Sequence, residues 1–120
     1  MGFREHLQQV CLDVEGAVAC ALMAADGIEV DSYVASEDAG VDVRALLVEC
    51  SGLLRSAEQA AEAHDAGGLS EFTFSTEKLT AVARPVSPEY FLVVALRPEA
   101  NQGKARWLLR MAAPKVKAEL

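Results

Sequence analysis

Aromatic residues are scarce in this 120-residue chain, 6% against an apolar share of 52%. Its core must therefore be aliphatic and alanine-rich, which suits close packing of helices on a sheet. That apolar content also excludes disorder. Histidine is limited to His6 and His64, each in a segment with helical periodicity. His64 stands in a last helical turn, where its charge favours capping over catalysis. No apolar run approaches the length that spans a bilayer, and Met-Gly-Phe-Arg-Glu-His does not read as a signal peptide. Gly2 does not make a myristoylation start, because the Ser or Thr that the pattern requires is missing. Cys11, Cys20 and Cys50 are odd in number, match no zinc or redox spacing and lie among apolar neighbours. They read as small core hydrophobes in a reducing cytoplasm. Gly67-Gly68 has no following Lys-Ser/Thr, so a phosphate loop is missing too. No nucleophile with its base is legible either, and we expect no enzyme, metal or cofactor.

What is present starts with charge. Residues 1–103 hold six Lys/Arg against seventeen Asp/Glu, whereas residues 104–120 hold five against one, for a net −7. An acidic body argues against nucleic acid. The basic run Lys104, Arg106, Arg110, Lys115 and Lys117 could dock on an acidic partner or membrane surface, or be a solvated helix face. The i,i+4 pair Glu58 and Glu62 reads as a solvated face in preference to a partner-facing acidic stripe. The length fits one domain, residues 1–120.

Periodicity gives eight elements. Phe3, Leu7, Val10, Cys11 and Val14 make one helical face, closed by Glu15-Gly16. Ala17–Ala24 is an unbroken apolar run, a central strand covered on both faces. Asp26-Gly27 predicts a type I′ hairpin turn. In the next strand, Ile28–Val34, Ile28, Val30 and Val34 face one way, and Glu29, Asp31 and Tyr33 the other. After a polar loop, with Asp38 or Gly40 as cap, a helix runs from about Val41 to His64 and stops at Gly67-Gly68. Leu46, Cys50, Leu53, Leu54 and Ala57 form its apolar stripe; Gly52, Ser56, Ala60 and Ala63 form a second track of small residues. Strands Leu69–Ser75, Leu79–Val86 and Tyr90–Arg97 follow, then a helix capped by Asn101 that should kink or end at Pro114. The order is α-β-β-α-β-β-β-α, an α/β (α+β) sandwich with a five-stranded antiparallel sheet flanked by helices.

Continuous apolar runs belong inside a sheet, which leaves Ile28–Val34 and Leu69–Ser75 as its edges. Glu29 and Asp31 deter a further strand at the first. The second has one charge, no proline and the pair Phe72 and Phe74 around Thr73. Either its own turn shields it, or the same strand of a second copy pairs with it antiparallel. The second arrangement brings two copies of the long helix together and makes Gly52, Ser56 and Ala60 an interface. Close approach of another backbone would then explain Gly52, which is otherwise fortuitous.

The element order, the stretch EGAVACALMAADGIEVDSY and the stretch YFLVVALRPEANQGKARWLLRMA together resemble the Roadblock/LC7 family, most specifically in ALMAADGIEVDS. The likeness covers essentially the whole chain and is nearest to the bacterial MglB-like branch. It implies dimers that join their third strands and second helices into one continuous sheet, and regulation of Ras-like GTPases. Departures from the MglB-type activators, namely no extended C-terminal tail and Pro114 in the last helix, imply an adaptor. The expected role is a non-catalytic homodimer in bacterial cell polarity and gliding motility, cytoplasmic and recruited to the poles. Its partners would be an MglB-like Roadblock protein, a Ras-like GTPase or a polarity factor. The alternative is an activating subunit for an MglA-like GTPase. On this resemblance Ala25, Asp26, Gly27 and Ile28 are the candidate partner surface, unless Asp26-Gly27 merely turns the chain and Ile28 enters the core. A small-molecule sensor would need a pocket with convergent polar groups, which an alanine-rich interior rarely offers.

Overall fold

Two strands carry so little polar surface that burial on both faces is their stable state, and the rest of the molecule is arranged to provide it. The computed structural model describes residues 2–36 and 40–120. In chain order the elements are α1 (Phe3–Asp13), β1 (Ala17–Ala24), β2 (Glu29–Val34), α2 (Val43–Ala63), β3 (Phe72–Ser75), β4 (Thr80–Ser87), β5 (Tyr90–Leu96) and α3 (Gln102–Ala118). The strands form one sheet in the order β2-β1-β5-β4-β3, and every pairing is antiparallel. The expected eight elements, the central β1 and β5, and the two edges are all present.

Alternation sorts the side chains of β1 and β5 into two cores. Cys20, Leu22, Leu92, Val94 and Leu96 meet Leu7, Val10 and Cys11 of α1 and Leu109 and Val116 of α3. On the other face Ala21, Met23, Phe91, Val93 and Ala95 meet Val43, Leu47, Cys50 and Leu54 of α2. A fully buried Leu or Phe contributes about 1.5–3 kcal/mol over its exposed state, so side chains such as Leu109 and Phe91, exposed by 1% at most, fix both layers.

Several details depart from the sequence reading. The hairpin is not type I′: Gly27 has φ +93°, but Asp26 is not in the left-handed region. The Gly27 N–H donates to the Ala24 carbonyl (2.9 Å) and the Ala24 N–H to the Ile28 carbonyl (2.8 Å). This is a three-residue loop with its left-handed residue last. In β2, Leu22 faces Asp31 while Met23 faces Glu29, so Val30 is an extra residue at a bulge. Glu29 and Asp31 therefore lie on opposite faces, Glu29 pairing with Arg44 of α2 (3.2 Å) and Asp31 with Arg4 of α1 (2.9 Å). β3 begins at Phe72, not Leu69, and pairs only with Thr80–Ala83.

α2 is capped by Asp42, whose carboxylate accepts from the Ala45 N–H at 3.1 Å. Gly40 is not the cap, and Asp38 lies outside the described residues. The helix ends four residues before Gly67, because Asp65 takes the left-handed conformation (φ +56°). The Asp65 N–H donates to Glu62 and the Ala66 N–H to Ala61, the paired bonds of a Schellman ending. The buried stripe is Val43, Leu47, Cys50 and Leu54, while Leu53 of the expected stripe is 39% exposed. α3 begins at Asn101 as expected and runs through Pro114 to Ala118 instead of ending there. Proline inside a helix costs about 3 kcal/mol, but Ala112, Ala113 and Val116 are buried on either side of it. The last turn is also tied back by His6 Nε2, 3.1 Å from Glu119 Oε2. Core packing beyond the proline outweighs the broken ladder.

Candidate protein-interaction surfaces

The β3 edge is built from two directions. Phe72 and Phe74 pack, half-buried, against the α2 core, and Thr73 points to the opposite face. There Arg106 of α3 donates to Glu71 (3.0 Å) and to Thr73 Oγ1 (3.2 Å). This guanidinium clamp sets where β3 starts, and it was not legible in the sequence, where Arg106 reads as part of a solvated face. The outer side of β3 has no neighbouring strand among the described residues.

α2 outruns the core that it packs on. Its last buried residue is Leu54, and no residue from Arg55 to Ala63 is buried. Gly52, Ser56, Ala60 and Ala63 are all exposed, and a Cβ added at Gly52 would meet nothing within 4 Å. Within one chain, then, no close backbone explains Gly52. Leu53 adds exposed apolar surface at 39%. The structure thus leaves open both a strand edge and a helix face of small residues.

The hairpin tip is a separate surface. Ile28 is 64% exposed and does not enter the core. Asp26 Oδ1 accepts from the Ile28 N–H at 3.2 Å, so Asp26 shapes the turn while remaining exposed. Ala25 is fixed on both sides: its N–H donates to the Glu89 carbonyl (2.8 Å), and its carbonyl accepts from Arg55 Nη2 (2.9 Å). Gly27 sits so near α2 that a Cβ would lie 3.0 Å from Ser51 Oγ and 3.7 Å from Val48 Cγ1. The tip therefore shares its surface with Val48, Ser51 and Arg55. Sequence reasoning missed all three, since nothing local relates positions some twenty residues apart.

Reactive chemistry is poorly provided for. Cys11, Cys20 and Cys50 are buried free thiols; burial pushes Cys11 up to about 12 and raises Cys20 and Cys50 as well. No group of three or more potential metal ligands occurs among the described residues. His64 is an exposed helix cap. A pocket of about 170 Å³ between β2 and α2 is lined by Ser32, Asp42 and the Glu29–Arg44 pair. It is smaller than the roughly 300–1,000 Å³ of typical ligand sites, and its charged groups already have partners, Asp42 in the helix cap and Glu29 with Arg44. No described helix is long and apolar enough to cross a membrane.

No protein-family model and no curated protein matches the sequence. Solved structures do. A crystal structure of MglC from Myxococcus xanthus is 48% identical over 100% of both chains, with a TM-score of 0.73. A Roadblock/LC7 domain from Streptomyces avermitilis has a TM-score of 0.85 at 14% identity, covering 99% of this chain and 98% of that one. The gliding protein MglB from Thermus thermophilus has a TM-score of 0.82 at 16% identity, over 95% of this chain and 84% of that one. The last two likenesses carry the fold alone. The first carries kinship, because nearly half the residues agree from end to end.

Proposed function

The chain belongs to the Roadblock/LC7 family, and from that premise we propose that it is a non-catalytic homodimeric adaptor in a Ras-like GTPase system of bacterial polarity and gliding motility. The observation that carries this reading is the pairing of two unlike surfaces on one sheet. Gly52, Ser56 and Ala60 on α2, with Phe72, Thr73 and Phe74 on β3, make an edge suited to a second copy of the same chain. Ala25, Asp26, Gly27 and Ile28 make a rigid tip at the opposite end of the strand order, left free for an MglB-like protein or another polarity factor. Full-length kinship to MglC supports the adaptor role.

The test separates the two surfaces. Asp26→Asn keeps a side-chain oxygen for the Ile28 N–H, so Asp26→Asn with Ile28→Ala alters the tip without removing the turn. Pull-down of an MglB-like partner should fall while the mass by light scattering stays that of a dimer. A wild-type monomer would overturn the self-pairing, and unchanged capture would overturn the tip. The rival role, activation of an MglA-like GTPase, regains ground from the continuity of α3 through Pro114. Faster GTP hydrolysis by that GTPase in the presence of this protein would establish it.

A further inference from the structure

The largest exposed aromatic on the molecule belongs to neither surface. Trp107, the chain's one tryptophan, is 57% exposed on α3, on the face of the sheet opposite α2. Met111, one turn further along, is 40% exposed. Together they form an apolar ridge, with concave ground on both flanks. Towards α1 lies a groove of about 430 Å³, bordered by Gln9, Asp13 and Lys115. Towards the sheet edge lies a second, of about 270 Å³, bordered by Glu71, Arg84, Arg106 and Arg110. Arg106 is engaged with Glu71. The side chains of Arg84 and Arg110 make no ion pair or hydrogen bond among the described residues.

We infer that this ridge docks an acidic amphipathic helix of a partner protein, with apolar residues on Trp107 and Met111 and carboxylates on Arg84 and Arg110. Tryptophan and arginine are the side chains that most often anchor protein contacts. Two guanidiniums beside an exposed indole, on a chain of net charge −7, are complementary to an acidic helix. An apolar pair one turn apart on α3 offers the apolar face of a partner helix two adjacent contacts. A second copy is disfavoured as the occupant: a two-fold contact is isologous, so basic α3 would face basic α3. An anionic membrane is disfavoured because the ridge offers two apolar side chains set between concave flanks, not a broad apolar face. The inference is independent of the dimer edge and the hairpin tip.

Because Trp107 is the sole tryptophan, its emission reports directly on the ridge. The probe is a synthetic peptide of about 14 residues with Leu at helical spacing and Glu elsewhere, and the control carries Lys in place of Glu. With the full-length protein, the Glu peptide should shift Trp107 emission to the blue with a dissociation constant of about 100 μM. Binding should weaken about ten-fold in Arg84→Glu/Arg110→Glu and again in high salt. Should the half-buried Arg84 not tolerate reversal, Arg110→Glu alone must give a several-fold loss. Equal binding of the Lys peptide, or indifference to the arginine reversals, overturns the inference. So does a blue shift with phosphatidylserine vesicles but not with the peptide, or loss of dimer mass in Trp107→Ala.

Discussion

Gly52 offers a test whose sign, and not merely its size, depends on what covers α2. A glycine in an exposed helix interior costs about 1 kcal/mol against alanine, and an added Cβ here meets nothing within 4 Å. In an isolated chain Gly52→Ala must therefore stabilise. For 120 residues the unfolding entropy is about 0.25 kcal/mol per degree, so the midpoint rises by about 4 °C. If a second α2 lies against this face, the same position resists enlargement. Over-packing costs about 1–3 kcal/mol per site, and two-fold symmetry applies it twice, so Gly52→Leu should weaken dimerisation about 30-fold or more. Sedimentation velocity gives the dimer constant, and chemical denaturation in a Thr73→Pro background gives the stability of the separated chain. The reasoning fails if Gly52→Leu leaves the dimer constant unchanged while Gly52→Ala stabilises the wild type by the full amount. α2 would then face solvent at Gly52, and the small-residue track would have no part in assembly.

Three further outcomes follow from local geometry. Gly27→Ala combines a φ of +93° with a Cβ 3.0 Å from Ser51 Oγ, and should lower stability by about 1–3 kcal/mol in denaturant titrations. Asp42→Ala removes the bond to the Ala45 N–H and should cost about 1 kcal/mol, with Asp42→Asn or Asp42→Ser restoring most of it. Cys11 is raised from 9.0 to about 12 by burial, so the folded chain keeps a proton that the unfolded chain releases. Its contribution is complete below pH 9 and declines as pH rises from 9 towards 12. The denaturation midpoint should fall over that window, less steeply in Cys11→Ala.

Much of this architecture was legible because the chain's strongest signals are long and unambiguous. Ala17–Ala24 and the apolar run from Tyr90 could only be interior strands, and fixing them fixed the edges. Most of the failures share a cause: they depended on a contact distant in sequence. Nothing near Val30 announces a bulge, which becomes sensible only when Asp31 reaches Arg4 and Glu29 reaches Arg44. Pro114 is a correct local warning overridden by the burial of Ala113 and Val116. Glycines at 67 and 68 pointed to the helix end, but Asp65 accepted the strained conformation first. Of the candidate surfaces, the turn at Asp26 was legible as chemistry, whereas its tiling against Val48, Ser51 and Arg55 needed the fold.

The brevity of β3 limits what an edge can accomplish. Four residues span about 13 Å, and alternate residues point their backbone groups outward, so a neighbouring strand gains about four hydrogen bonds. At about 0.5–1.5 kcal/mol net each, these supply roughly 2–6 kcal/mol. Bringing two bodies together costs about 4–15 kcal/mol. Such a strand can thus set register and direction, but in the proposed dimer cohesion would have to come from the side chains of α2. A seam divided in this way would permit subunit exchange: sibling chains with a compatible strand could trade places, sorted by the helix face alone.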